Sequence, residues 1–360
     1  DGGTSGAIGS TSGISISNGA TLAFNRSDSY GGNFNRTISG AGGVSLLAGT
    51  LTLQNTGNSL TGGVTVNGGK LLSQGNSVGN TIVVNNGGTF GMAGSDNWGA
   101  ATTTNTPAIT INAGGTMTSD GFFNSIRDLT LNGGTVSLNG GLGSAQAFTL
   151  GGTVTAGGAV TSTIAVASGS NNAIRLGRQG ASESTTFNVS NANGQLSVGT
   201  ELWDNFGAVA GLTKSGSGKM VLSAANAYTG PTAVTAGTLQ IGNGGTTGSI
   251  LVNSALSVSN GATLAFNRTD NYGGALNHTI SGAGTVAING GNLTLNAGVS
   301  SGYSTNLSFV VNNGATATMG HSDMFGGTGW DATTSPGFTV NAGGTLASSN
   351  NFNTLWNLNL

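Results

Sequence analysis

The residues best equipped for chemistry sit mid-chain, where Arg175, Arg178, Glu183, Glu201 and Asp204 form the densest charge group. Carboxylates beside a cation are what a polysaccharide lyase or hydrolase uses as general base, proton donor or metal ligand. The rest of a catalytic set is sparse: 9 Lys and Arg, 11 Asp and Glu, 2 His and no Cys in 360 residues. Without cysteine there is no Cys–His pair, and no G-x-S-x-G elbow raises a serine nucleophile. His278 stands where an earlier copy of the same stretch has Arg36, and His321 lies in a long loop, so they do not suggest a zinc site. Asp28, Asp96, Asp270 and Asp323 lie in loops without the G-G-x-G-x-D array of calcium-binding solenoids. The charge group therefore reads as ion pairs at irregular corners, and neither enzyme activity, cofactor nor metal is expected. The other candidates are aromatic. Tyr30, Trp98, Tyr272, Phe325 and Trp330 occupy loops between strands, where they either cover the scaffold or form an adhesive surface, since exposed aromatics anchor interfaces.

The elements that must position these residues are short. Glycine numbers 68 and charged residues make up 6% of the chain, against about 7% Gly and about 25% charged in ordinary globular domains. With 3 prolines and no G-X-Y period, collagen is excluded. Apolar residues recur in alternation, which disordered chains lack. A net charge of −2 offers no basic patch for nucleic acid. No apolar run approaches the ~18 residues of a membrane helix. The alternation has period two, as in Thr50-Leu51-Thr52-Leu53, Val64-Thr65-Val66 and Leu129-Thr130-Leu131, so the runs are strands and the Gly-bearing steps between them are corners.

The corners carry a spacing. Paired glycines at Gly68-Gly69, Gly87-Gly88, Gly114-Gly115, Gly133-Gly134 and Gly151-Gly152 step by 19, 27, 19 and 18 residues (87−68, 114−87, 133−114, 151−133). That is the scale of one solenoid coil, with the long step holding the loop 94–107. Over it lies a longer repeat. Ala20-Thr21-Leu22-Ala23-Phe24-Asn25-Arg26 returns as Ala262-Thr263-Leu264-Ala265-Phe266-Asn267-Arg268, an offset of 242 (262−20), and the loop 94–107 has a counterpart at 320–336. The expectation is an all-β, right-handed parallel β-helix of about 15 to 18 coils with lateral loops. It should run continuously over residues 1–360, with a super-repeat of about 240 residues (1–240, then 241–360 as a partial second unit). Inward positions would be Leu51, Leu53, Val64, Val66, Leu129 and Leu131.

The stretch Gly211–Ile241 resembles a known repeat. Gly211-Leu212-Thr213-Lys214, Gly216, Gly218, Leu222-Ser223, Asn226, Tyr228-Thr229-Gly230, Thr232, Val234 and Ala236-Gly237-Thr238-Leu239-Gln240 follow the autotransporter-associated β-strand repeat of bacterial passenger domains. Met220 and Ala224 depart from its pattern. Ala20–Leu53 and Ala262–Leu295 follow it more loosely. The resemblance implies a secreted protein of the bacterial outer-membrane surface, translocated through a barrel outside this segment. It further implies a structural stalk or fibre; the first alternative is an adhesin meeting host surfaces or glycans through lateral loops, and a polysaccharide-processing enzyme is the second. The near-zero charge, and a chain that starts and stops without an evident cap, point to association into filaments.

Overall fold

A strand of three to six residues with alternating apolar side chains can bury only one face, and its backbone still needs partners on both edges. Here both needs are met by other turns of the same chain. The computed structural model describes all residues except 1, 10–12, 31–32, 76–77, 99–105, 141–146, 171, 179, 251–254, 273–274, 298–302, 323, 326–334 and 350–351. The described residues form short strands joined by turns, without helix. The strand pairings along the coils are parallel, which makes the fold a parallel β-helix. A parallel crossover of this kind takes the right-handed sense. The chain divides into two compact units, residues 1–185 with 205–208, and residues 186–204 with 209–360.

In the first unit one face stacks Thr21–Asn25, Gly43–Ala48, Val64–Val66, Thr81–Val84, Ala108–Asn112, Leu129–Asn132 and Thr153–Ala156 in that order. A second face stacks Thr50–Leu53, Gly69–Ser73, Gly88–Met92, Thr116–Thr118, Thr135–Leu138 and Thr161–Val166. Shorter strands, Asn124–Ile126, Phe148–Leu150 and Ile174–Leu176, line a third. In-register stacking brings like residues into columns. Val44, Val64, Ile82, Ile109, Leu129 and Val154 follow one another inside the coil, none more than 2% exposed. Each such side chain contributes about 1.5–3 kcal/mol of burial. Leu51, Leu53, Val66 and Leu131 are buried as their alternation predicts.

The second unit repeats the plan. Gly211–Ser215, Thr232–Val234, Leu256–Val258 and Ile280–Gly282 stack on one face. Gln195–Gly199, Lys219–Leu222, Thr238–Ile241, Thr263–Asn267 and Thr285–Leu295 stack on the next. The last of these spans eleven residues and rounds a corner at Gly291, φ 66°.

Polar ladders fix the register from outside. Asn85 Nδ2 donates to Asn67 Oδ1 at 2.7 Å, Asn112 to Asn85 at 2.7 Å, and Asn132 to Asn112 at 3.1 Å. Asn341, Asn312 and Asn289 form the same ladder in the second unit, both steps 2.7 Å. A one-residue slip would break every rung and turn the apolar column outward.

One spacing differs from the sequence reading. Thr89, Thr116 and Thr135 are successive register partners, but the next is Thr163, a step of 28 (163−135). Gly151-Gly152 therefore stands at a different corner, after Phe148–Leu150, and its step of 18 is not a coil. The connection from Leu138 to Phe148 is longer than that from Thr118 to Asn124, and this displaces the glycine pair. The other corners fall as expected: Gly87, Gly114 and Gly133 have φ of 79°, 75° and 83°.

Two glycines separate backbone strain from crowding. A Cβ on Gly87 would meet nothing within 4 Å, whereas one on Gly237 (φ +62°) would lie 2.4 Å from Gly218 O and 2.5 Å from Gly216 O. Gly87→Val should cost about 1 kcal/mol or more from left-handed backbone alone, and Gly87→Asn markedly less. Gly237→Ala should cost more than either. Urea unfolding midpoints order the three; equal midpoints for Gly87→Val and Gly87→Asn would show the corner to be wrongly assigned.

Candidate functional site

The repeat signature is the richest cluster of polar side chains, and its most unusual member is Lys214. It shares strand parity with Leu212 and pairs in register with Val234, so it points inward, and it is fully buried. Its Nζ donates to three carbonyls, Ser215 O at 2.7 Å, Gly216 O at 2.8 Å and Ala236 O at 3.0 Å. Those carbonyls belong to two corners on successive coils, so one ammonium ties both. Burial pushes its pKa down to about 8.

The other signature residues are similarly committed. Asn226 Oδ1 accepts the Leu202 N–H at 3.1 Å while its Nδ2 donates to Ala224 O and Ser249 O at 3.1 and 2.8 Å. Asn58 in the first unit does the equivalent, accepting the Ile38 N–H at 2.8 Å. The Tyr228 hydroxyl shares a hydrogen with Thr232 Oγ1 at 2.7 Å, and burial raises its pKa. Asp204 accepts from Thr229 Oγ1 at 2.6 Å, Thr229 N at 3.0 Å and Ala210 N at 2.9 Å. These groups close corners; none is left aimed at a substrate.

The copied stretch N-R-x-D-x-Y forms a second device, present in each unit. Arg26 donates through Nε to Asp28 Oδ1 at 2.8 Å and through Nη2 to Oδ2 at 2.5 Å, while its guanidinium lies 4.9 Å from the Tyr30 ring centre. Arg268, Asp270 and Tyr272 repeat this at 2.7, 2.6 and 5.2 Å. Both tyrosines hold positive φ, 52° and 56°, a conformation their surroundings impose. Each ring packs edge-on at 5.2 Å against a core phenylalanine, Phe24 or Phe266. The hydrogen bonds from arginine hold both carboxyls below their ordinary pKa.

The remaining aromatic candidates also turn inward. Trp98 is 5% exposed and stacks on Phe90, and Phe325 is fully buried against Tyr303, Phe309 and Phe338. Trp330 lies outside the described residues, as do parts of both long loops. Among the described residues the large rings that do reach solvent are others: Phe352 at 73%, Trp356 at 48%, Phe206 at 45% and Trp203 at 36%. The signal for Trp203 and Phe206 was apolar residues at three-residue spacing with Val209, too wide for strand alternation, although Leu202–Trp203 forms a two-residue strand.

The members of the central charge group are each committed to local contacts within their own unit. Arg178 forms a two-pronged ion pair with Glu183, which lowers the glutamate's pKa. Glu201 accepts from its neighbour Trp203 Nε1 at 2.8 Å, Asp204 caps the turn described above, and Arg175 lies 3.9 Å over the Phe206 ring. His278 is buried and His321 exposed beside Ser322 O. Among the described residues no group of three or more potential ligands could hold a metal.

Residues 48–72 and 212–241 match the family described as passenger-associated-transport-repeat. A stretch of 75 residues is 51% identical to the adhesin BmaC autotransporter of Brucella suis biovar 1 (strain 1330), covering 20% of this chain and 2% of that protein. A crystal structure of a TibC-catalysed hyper-glycosylated TibA fragment aligns over 96% of this chain and 98% of that one, at 15% identity and a TM-score of 0.23. At that score the likeness carries no argument, and the β-helix stands on the pairings above.

Lys214→Met should remove three carbonyl partners at once and destabilise by about 2 kcal/mol or more. Its pH dependence has a sign. Between about 8 and the ordinary lysine value near 10.4, the unfolded chain binds the proton that the folded chain has released, so stability rises with pH. Chemical denaturation across that window should show the rise in the parent and not in Lys214→Met. Asp28 and Asp270 act oppositely: their contribution is present above about pH 4 and lost as pH falls through their depressed folded values. The Asp28→Asn, Asp270→Asn double variant should lose less stability than the parent on acidification from pH 5 to 2; equal slopes would remove the latch from the account.

Proposed function

We propose that this chain, which carries passenger-associated-transport repeats at residues 48–72 and 212–241, serves as a structural stalk, a β-helical spacer displayed at the bacterial outer-membrane surface, rather than as an enzyme. The observation that carries this reading is the commitment of the signature's polar side chains, Lys214, Asn226, Tyr228 and Thr229, to corners of the coil itself. A surface selected for catalysis keeps charged groups poised in a cleft; here they close backbone turns. The near-zero net charge of −2 leaves little repulsion between copies, which favours self-association. An adhesive role is the second reading, favoured by the solvent-exposed Phe206 and Trp203 and by the adhesin name of the Brucella relative.

The stalk reading makes the segment replaceable. In the full-length protein on its own cells, residues 1–360 exchanged for an unrelated parallel β-helix of equal coil number should leave surface display and host-cell attachment unchanged. Loss of attachment in the exchanged protein, together with competition by the purified 360-residue chain, would overturn the stalk in favour of the adhesin.

A further inference from the structure

On the outer side of the first unit's third face, two hydroxyls are buried without a partner. Ser125 and Thr149 are register neighbours on Asn124–Ile126 and Phe148–Leu150, 6% and 0% exposed. Neither Oγ has a hydrogen-bond partner. Both line a small pocket with Thr106, Ile126, Arg127, Gly151 and Arg178. Its free volume is about 10 Å³, room for one oxygen-sized atom.

Two arginines contribute to the walls of this pocket. Arg127 lies on the coil below and Arg178 on the coil above, and both pack over Gly151-Gly152, where a Cβ would meet Arg178 Cγ at 2.8 Å and Arg127 Cγ at 3.0 Å. The glycine pair that breaks the coil spacing thus makes space for two arginines. Their side chains are 44% and 47% exposed. Arg178 is paired with Glu183, whereas among the described residues the one carboxylate within 4 Å of Arg127 is that of Asp128, at 3.9 Å. Thr106 Oγ1 accepts the Arg127 N–H at 3.2 Å, which leaves its own hydrogen to donate. Arg175, opposite Thr149 in register, holds its guanidinium over the Phe206 ring instead.

We propose that this pocket binds an oxyanion of the sulfate type: one oxygen enters to accept from the Ser125 and Thr149 hydroxyls, and the others remain outside against Arg127 and Arg178. A water would satisfy the hydroxyls, but it leaves Arg127 with nothing nearer than the 3.9 Å approach to Asp128, whereas Arg178 already holds Glu183. Only one oxygen fits, so the rest of the anion stays accessible, and the same chemistry serves a free ion or a sulfate ester on an acidic polysaccharide. The inference rests on this geometry and stands apart from the stalk reading.

The test is a thermal-shift titration of the 360-residue chain with sodium sulfate, heparin and, at matched ionic strength, sodium chloride. Arg127→Gln and Thr149→Val are carried alongside: the first alters a half-exposed side chain, the second conserves shape, and circular dichroism checks that both fold. The parent should show a saturable rise with sulfate or heparin beyond chloride, and each variant should weaken it about tenfold or more. Saturation by both ligands assigns the site to the free ion as well as the ester; saturation by heparin alone assigns it to the polysaccharide. A non-saturating rise common to all three proteins is general salting-out and overturns the proposal, as does no rise beyond chloride, which leaves a water site only.

Discussion

A single coil of this chain cannot satisfy its own backbone. Its strands lie side by side around the coil without pairing to one another, so their N–H and C=O groups point up and down to the neighbouring turns. Everything else follows from that requirement. Stacking in register supplies the hydrogen bonds and, by the same step, places Val64 over Val44 and Ile82 over Val64, closing an apolar column that no single turn could bury. The corners must be tight enough to stack as well, so glycine and asparagine crowd there and the chain is left with few charges.

Seen this way, the polar residues of the repeat act as corner fasteners. Lys214 ties two successive corners with one ammonium, Asn226 and Asn58 receive backbone donors at equivalent turns, and the Arg–Asp–Tyr latch clamps a loop onto a core phenylalanine in each unit. Burying an ammonium is costly unless it is fully hydrogen-bonded, and three carbonyls meet that condition without importing a carboxylate. The design spends side-chain chemistry on regularity, which suits a spacer.

Much of this was legible in the sequence, for a local reason. Parity decides which side of a strand Leu51, Val64 or Leu131 faces, and positive φ selects glycine at positions 87, 114 and 133; neither depends on distant contacts. The burial of Lys214 was also written in its parity with Leu212, although a lysine there reads first as a solvated side chain. What could not be read depends on the third dimension. Trp98 and Phe325 sit in loops by sequence, yet fold back onto Phe90 and Phe309. The glycine pair at 151 looked like one more coil corner because spacing alone cannot say which corner it occupies. The pocket at Ser125 and Thr149 joins residues from separate turns, none of which carries a motif.

The central claim is in-register parallel stacking, and the absence of native cysteine allows a direct measurement of it by disulfide trapping. Thr110 and Thr130 face outward as register partners, so their Cα atoms stand about 4.8 Å apart, inside the ~4.4–6.8 Å span of a disulfide. Oxidation of a Thr110→Cys, Thr130→Cys protein should close the bridge nearly completely without loss of stability. A Thr110→Cys, Asp128→Cys protein, two residues out of register at about 7–8 Å, should close poorly. Equal trapping of both pairs, or preferential closure of the second, would contradict the stacking on which the whole account rests.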